Sequence, residues 1–191
     1  DYIANGSFST ISDSNIATED EQKKAEERKA EEAKTQKEEE ERKLKEKYEK
    51  KFEVHEVDGA DQIGKDIATD LMWSTDKDEW DTAVDNINKI DKENVYSVIK
   101  AYAAEEGWGT DNILEQIATE YGREKEQQKE LINHIIKAVL DYCKKNGSNS
   151  PSAYKELEKY KNGITDEVFN SPEDKLRAVD RLILRVFGIR N

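Results

Sequence analysis

Residues 19–53 read EDEQKKAEERKAEEAKTQKEEEERKLKEKYEKKFE, and this charged stretch decides the fold class of the first part of the chain. Opposite charges recur at helical spacing in the pairs Glu19/Lys23, Asp20/Lys24, Glu38/Arg42, Glu39/Lys43, Glu41/Lys45 and Glu46/Lys50. Each such pair stabilises a helix by about 0.2–0.5 kcal/mol, and no Gly or Pro interrupts the stretch. Thr18 can act as the N-cap, with Glu21 completing a capping box. The pattern predicts a charged helical arm over residues 18–53.

The arm lacks the apolar repeat of a coiled coil. Only Ala25, Ala30 and Ala33 interrupt the charges before Leu44, whereas a coiled coil needs apolar a and d positions over several heptads. We therefore expect a single solvated helix; a weak coiled coil, a helix docked on a partner, or disorder are the alternatives. Leu44, Tyr48 and Phe52 follow one another at four-residue spacing, which predicts that the last turns dock on the domain that follows.

Residues 1–17 (DYIANGSFSTISDSNIA) are rich in Ser, Asn and Asp with scattered apolar residues. We predict an extended lead-in, with a disordered tail as the alternative. If the segment is ordered, its apolar side chains need a surface to pack on, and a partner subunit could supply it.

After Val54 the pattern becomes amphipathic, with short breaks, and no segment alternates with the period of a strand. We expect helices over about 60–72, 124–145 and 152–161, together with helices that Thr75 and Asp91 open, one that Gly122 ends and a last one from Pro172 to Gly188. Three of them carry clear apolar stripes: Ile113, Leu114, Ile117 and Tyr121 before Gly122; Leu131, Ile132, Ile135, Ile136, Val139, Leu140, Tyr142 and Cys143 in 124–145; and Leu176, Val179, Ile183, Val186 and Phe187 in the last. Residues 54–146 are predicted to form one helical domain and residues 147–191 a C-terminal helical extension. The predicted fold class is all-α, with a long charged N-terminal helix before a compact multi-helix domain.

Composition restricts the partners. The formal net charge is −13, whereas phosphate contacts require a basic stripe, so we expect no nucleic acid and no unaided binding to an anionic membrane. The one cysteine, Cys143, cannot form an intrachain disulfide, and no apolar run approaches the roughly 18 residues that span a bilayer. The chain starts at Asp1, so we expect a processed product or part of a longer protein. Its expected location is a reducing compartment or a particle assembled in the cytoplasm.

Residues 60–121 resemble an annexin repeat, a unit of four short helices. The family's second helix begins after a loop ending in Gly-Thr-Asp-Glu; here Met72-Trp73-Ser74-Thr75-Asp76 precedes a helix with Trp80 and Val84 at matching apolar positions. Tyr102, then Gly107 or Gly109, then Ile113 to Tyr121 with Glu120 follow the family's order. The match covers about a third of the chain.

The resemblance raises the question of calcium. Annexins bind calcium through carbonyls of a glycine-rich loop and one distant acid, for which Thr75 and Glu120 are the candidates here. Met72 and Ser74 stand where the loop glycines are expected, so backbone carbonyls have less freedom to converge on an ion. Annexins also use four repeats to build a membrane face, and only one is found here. We therefore predict neither a metal nor a cofactor.

Few residues offer chemistry. His55, His134 and Cys143 lack the spacing of a zinc site, and we expect His134 and Cys143 to belong to the core or its boundary. Glu105 and Glu106 are a possible acidic pair, but no cleft is apparent around them. Trp73, Trp80 and Trp108 are expected to be core anchors rather than a ligand cage. We accordingly expect no catalytic residues.

Three possible functions follow. Single annexin-like repeats are similar to segments beside charged helices in large virion proteins of tailed bacteriophages, which implies a non-enzymatic structural or interaction module packaged in a particle, with protein partners. The alternative is a calcium-dependent binder of membrane or envelope, which calorimetry with millimolar calcium would test. A non-catalytic fragment of a larger enzyme is the third possibility.

Overall fold

The structure, a computed structural model, describes residues 10–73, 76–105 and 112–189. These residues form α-helices and no strand, which confirms the all-α prediction. In chain order the helices are α1 (Thr10–Tyr48), α2 (Ala60–Trp73), α3 (Lys77–Asn88), α4 (Val95–Glu105), α5 (Ile113–Thr119), α6 (Lys125–Asn146), α7 (Pro151–Glu158), α8 (Asp166–Phe169) and α9 (Arg177–Phe187). A π-helical turn, Pro172–Leu176, leads into α9.

The chain divides into two compact units between Glu46 and Lys47. The predicted boundary after residue 53 is therefore too late. Residues 147–191, predicted as a separate extension, share one hydrophobic core with residues 54–146 and belong to the same unit. The reason is visible in their sequence: the last helix has a continuous apolar stripe, which is stable only when buried against another element.

In the first unit, α1 is a charged helix that has no buried face from Thr18 to Glu46. It begins at Thr10, so the predicted extended lead-in is wrong for residues 10–17, and Thr18 is not the N-cap. Residues 1–9 lie outside the described part. Every side chain from Thr18 to Glu46 is exposed, and these positions hold 12 acidic and nine basic residues. A helix that is polar all round must be stabilised locally, by propensity and by charge pairs.

Some of these charge pairs are formed. The Glu39 and Lys43 side chains are 2.8 Å apart, and weaker pairs join Lys34 to Glu38 and Arg42 to Glu46, each at 4.0 Å. The predicted pair Glu46/Lys50 is wrong, because α1 ends at Tyr48 and the Lys50 ammonium donates instead to the carbonyl of Lys145. Exposed pairs of this kind contribute about 0.3–0.5 kcal/mol each, so only the series as a whole stabilises the helix.

The second unit is built around α6. Its apolar stripe was predicted correctly, and α3, α4, α5, α7 and α9 all contact it. The stripe's fully buried members are Ile132, Ile135, Ile136, Val139 and Tyr142. Gly147 ends α6 with a φ of +80°, in the conformation that favours glycine at a helix C-terminus.

Helices α2 and α4 pack closely at a glycine. A Cβ atom at Gly64 would lie 2.3 Å from the Val98 carbonyl oxygen and 3.0 Å from the Ala101 Cβ. Only glycine therefore allows the two backbones to approach this closely. This contact aligns α2 with α4 and positions the segment that enters α2.

Helix α5 is capped by a side chain from α9, which is far from it in sequence. The carboxylate of Asp180, on α9, accepts hydrogen bonds from the backbone N–H groups of Leu114 (3.0 Å) and Glu115 (3.1 Å), and Asp180 is only 2% exposed. Arg177 makes a two-pronged ion pair with the Glu115 side chain at 2.7 and 2.9 Å. A seven-residue helix is unstable alone, so α5 depends on these contacts with α9.

Several helix ends differ from the prediction. Asp76 caps α3 by accepting from the N–H of Asp78, whereas the predicted cap, Thr75, lies outside the described residues. Helix α5 ends at Thr119, and Tyr121, predicted to lie on its apolar stripe, is 97% exposed next to Gly122, whose φ is +74°. Helix α8, capped by Thr165, was not predicted.

Candidate interaction surfaces

Glu120 is the candidate calcium ligand that the annexin resemblance suggests, although no metal was predicted. This residue follows the end of α5, and its carbonyl accepts a hydrogen bond from the Gln128 side chain at 3.0 Å. Burial raises the pKa of the Glu120 carboxyl, while the nearby Arg123 guanidinium and a hydrogen bond from Gln116 oppose that rise. A carboxyl beside an arginine already has a cationic neighbour, which weakens its pull on a second cation.

A second acid with a raised pKa lies nearby. Burial, together with repulsion from Asp66 and Glu79, raises the pKa of Asp70, and the Asp70 Oδ2 atom is buried without a hydrogen-bond partner. Glu79 also repels Glu120. Among the described residues, no three or more His, Cys, Asp or Glu side chains are grouped as metal ligands. Thr75 lies outside those residues, so the expectation that Thr75 and Glu120 hold no calcium stays a prediction.

The other candidates for chemistry have structural contacts. The His134 Nε2 atom lies 2.6 Å from the Ile90 carbonyl oxygen, which ties α6 to the end of α3. Burial raises the pKa of the Cys143 thiol to about 12, so the reactive thiolate is scarce at neutral pH. The His55 ring is mostly exposed, 3.6 Å from Glu53. These three residues are not brought together.

Of the predicted tryptophan anchors and the acidic pair, the side chains of Trp80 and Glu105 lie in the described part of the chain. Trp80 is buried, its indole N–H donates to Gln127 at 3.1 Å, and the Arg123 guanidinium lies over its ring, so the prediction of a core anchor is confirmed for Trp80. The Glu105 side chain is exposed at the end of α4. Glu106, Trp108 and the side chain of Trp73 lie outside what the structure describes.

The second unit carries an ordered segment that the sequence did not reveal, residues 50–58, which we call the strap. Alternate backbone N–H groups of the strap bond to the domain: Glu53 to the Asn146 carbonyl (2.8 Å), His55 to the Tyr142 hydroxyl (2.8 Å) and Val57 to the Ser97 hydroxyl (3.0 Å). This period of two is that of an extended backbone, in which successive N–H groups point to opposite sides. The strap therefore lies along the domain like a strand with one bonded edge.

Aromatic packing holds the strap in place. Phe52 is half-buried and meets the Tyr96 ring edge-on at 6.2 Å between centroids. Tyr96 in turn packs on Tyr142 and Phe187, at 6.0 and 5.4 Å. Phe52 thus docks as predicted, but from the strap rather than from a helical turn.

A polar contact fixes the start of the strap. The Tyr48 hydroxyl donates to the Glu158 carboxylate at 2.5 Å, and the Lys47 ammonium lies 2.9 Å from the same group. Burial alone would raise the pKa of Glu158, but these hydrogen bonds outweigh it and hold the pKa below its ordinary value. Leu44, the remaining member of the predicted docking stripe, is 48% exposed.

An open groove of about 440 Å³ lies beside the strap. Its walls come from the end of the strap and from the first turns of α2 and the outer face of α4. The lining includes Val57, Asp58, Asp61, Lys65, Ser97 and Lys100. Lys100 bonds to Glu56 at 2.6 Å and Lys65 lies 3.7 Å from Asp61, so both groove ammonium groups already have acidic neighbours.

Comparison with known proteins gives no assignment. No protein-family model, curated protein or solved structure matches the chain. Of the helices formed by the described residues, none has both the length and the apolar character that crossing a bilayer requires.

Proposed function

We propose that the chain is a non-enzymatic interaction module of a larger protein, and that it serves as an internal virion protein of a tailed bacteriophage. The observation that carries the proposal is α1, 39 residues long, whose side chains from Thr18 to Glu46 are all exposed and mostly charged. At a rise of 1.5 Å per residue such a helix is about 58 Å long.

A helix of this composition is suited to bridging. A helix that buries no face and is stabilised by pairs such as Glu39–Lys43 is typical of solvent-spanning connections between domains. The second unit has a separate core and its own ordered surface, so it offers a docking body at one end of such a connection.

The virion setting rests on the resemblance of residues 60–121 to single annexin-like repeats found beside charged helices in phage virion proteins. Fold-level likeness is an analogy, so this setting needs a direct test. An antibody raised against the full chain should detect the protein in purified particles of the phage whose genome encodes it. The band should survive protease treatment of intact particles and disappear once the particles are opened. A band that is absent from purified particles contradicts the virion role.

The bridging role of α1 is tested by changing its length without changing its phase. Deleting Ala25–Arg42 removes 18 residues, five full turns, and shortens the helix by about 27 Å. A matched control permutes the same 18 residues while keeping Glu–Lys pairs at four-residue spacing. We expect the shortened chain to be incorporated into particles poorly and the permuted chain to be incorporated normally. Equal incorporation of the wild-type, shortened and permuted chains would contradict the bridging role of α1.

A further inference from the structure

We propose that the outer edge of the strap is a docking site for an extended, basic peptide segment of a partner protein, bound by β-strand addition. The proposal rests on the interaction role argued above and names the chemistry of one partner contact. In this mode the backbone of an edge supplies hydrogen bonds and the alternating side chains supply selectivity.

The strap bonds to the domain through every second N–H group. The N–H groups of Glu53, His55 and Val57 point to the domain and are bonded there. In an extended segment the N–H groups of Val54 and Glu56 point the other way. No acceptor in the described part of the chain receives a hydrogen bond from either group. The strap thus presents an unpaired backbone edge of the kind that recruits another strand.

The strap is held in place by the domain before any partner binds. Gly147 lies so close that a Cβ there would be 2.6 Å from the carbonyl oxygens of both Lys50 and Lys51, and Phe52 packs against Tyr96. The entropy cost of fixing the strap is met when the domain folds. A partner strand then loses less free energy on binding than it would with a mobile segment.

The strap also exposes two large apolar side chains. Val54 is 48% exposed and Val57 is 40% exposed, whereas nearly all other large apolar residues in the described part of the second unit are covered. Both are β-branched residues, which favour strands and pair well with β-branched residues across a ladder. Their positions differ in parity, so the two side chains lie on opposite faces of the strap, and an apolar residue of the partner strand can cover Val54.

Charge selects the kind of strand. The exposed charged residues from Glu53 onward are acidic (Glu53, Glu56 and Asp58), whereas Lys50 and Lys51 lie at the start of the strap. A partner strand placed opposite residues 53–58 therefore meets acidic side chains. Asp58 lines the groove, and of the described residues none forms an ion pair with it. A lysine or arginine of the partner can therefore reach Asp58 from the groove. Complementary charge favours a basic segment, whose alternate residues are apolar.

The test uses the full chain and a fluorescein-labelled peptide, Lys-Val-Lys-Val-Lys-Val-Lys, with fluorescence anisotropy as the readout. Three further peptides serve as controls: one with Glu in place of Lys, one with the same residues in blocks, and one N-methylated at alternate residues so that its edge cannot bond. We expect saturable binding of the first peptide and at least about tenfold weaker binding of each control. Equal binding of the N-methylated peptide would overturn β-strand addition and leave charge attraction alone.

Variants of the strap test whether the N–H groups that face away from the domain bind the peptide. Val54→Pro removes an outward N–H, keeps the inward bonds, and suits the extended conformation of Glu53, so its urea midpoint should match the wild type while binding falls about tenfold. Val54→Thr keeps the N–H and should bind within about threefold. Val57→Pro removes the bond to Ser97 and should lower the urea midpoint. Normal peptide binding by Val54→Pro would overturn the proposal; if that variant unfolds, the N-methylated peptide decides.

The peptide assay tests the strap independently of the particle assay, which tests the proposed function. The peptide assay uses the wild-type α1, whereas the particle assay changes only α1. If the peptide fails to bind while the shortened α1 still blocks incorporation, the strap proposal falls and the bridging role stands.

Discussion

Replacing Asp180 by alanine should strongly destabilise the second unit. The substitution removes the carboxylate that accepts from Leu114 and Glu115, and leaves two buried N–H groups at the start of α5 without that acceptor. Hydrogen bonds to a charged group contribute about 1.5–3 kcal/mol each, and loss of a helix cap costs about 0.5–2 kcal/mol. The two bonds share one carboxylate and are not additive, so we expect a loss of about 3 kcal/mol.

Urea unfolding followed by circular dichroism measures this loss. With a slope of about 2 kcal/mol per molar urea, the midpoint should fall by about 1.5 M. Asp180→Asn keeps one carboxamide oxygen as an acceptor and should lose about half as much stability. Asp174→Ala, at an exposed acidic position, is the matched control and should shift stability by no more than about 0.5 kcal/mol.

Hydrogen exchange separates the cap from a general loss of packing. In Asp180→Ala the Leu114 and Glu115 amides should exchange faster than the change in global stability explains. A variant whose midpoint stays close to that of the wild type, with these two amides equally protected, would refute the argument that α9 caps α5.

Three further changes have defined outcomes. Gly64→Ala should lower the urea midpoint by an amount equivalent to about 1–3 kcal/mol, because its Cβ would lie 2.3 Å from the Val98 carbonyl oxygen; an unchanged midpoint would show that α2 and α4 can separate freely. Asp70→Asn should raise the midpoint at pH 7, because the raised pKa of Asp70 means that its ionisation opposes folding; the gain should shrink as the pH falls towards 3.8, and a gain independent of pH would contradict this cause. Cys143, whose pKa is about 12, should react with a thiol-specific disulfide reagent at pH 8 only after unfolding in urea, and rapid labelling of the folded chain would contradict its burial.

The elements that the sequence predicts well are those whose signal is local and periodic. The stripes of α6 and α9 recur every three or four residues, and the structure buries the residues expected. Gly188 was predicted to end α9 and does so with a φ of +65°. Binary pattern determines such helices because each residue's burial depends on its own helix face.

Helix ends were predicted less well because several weak signals compete there. Thr18 is a good cap residue, but Ser, Asn and Thr before it have only mildly unfavourable helix propensities, so the helix continues back to Thr10. Tyr121 fits the spacing of Ile117, yet α5 has already ended at Thr119. At the other end of α1, contacts of the strap with Asn146 and Tyr142 replace helical hydrogen bonds, and these partners are 93 and 87 residues away in sequence.

The position of the strap depends on hydrogen bonds between residues that are distant in sequence, so the periodicity of the sequence could not predict it. Val54 and Val57 have the residue type of a strand, but their spacing gives no alternation. The roles of Tyr142 and Ser97 as acceptors for the strap depend on where α6 and α4 lie in space. Asp180 likewise reads as one more acid on the polar side of a helix until α5 is placed against it.

The cap on α5 also constrains how the chain is made. A ribosome delivers Leu114 long before Asp180, because 66 residues separate them. During that interval a seven-residue helix has no carboxylate at its start and cannot persist by itself. Helix α5 therefore gains its cap only after the last helix has been synthesised, and a nascent chain released before Asp180 would carry an α5 without that cap.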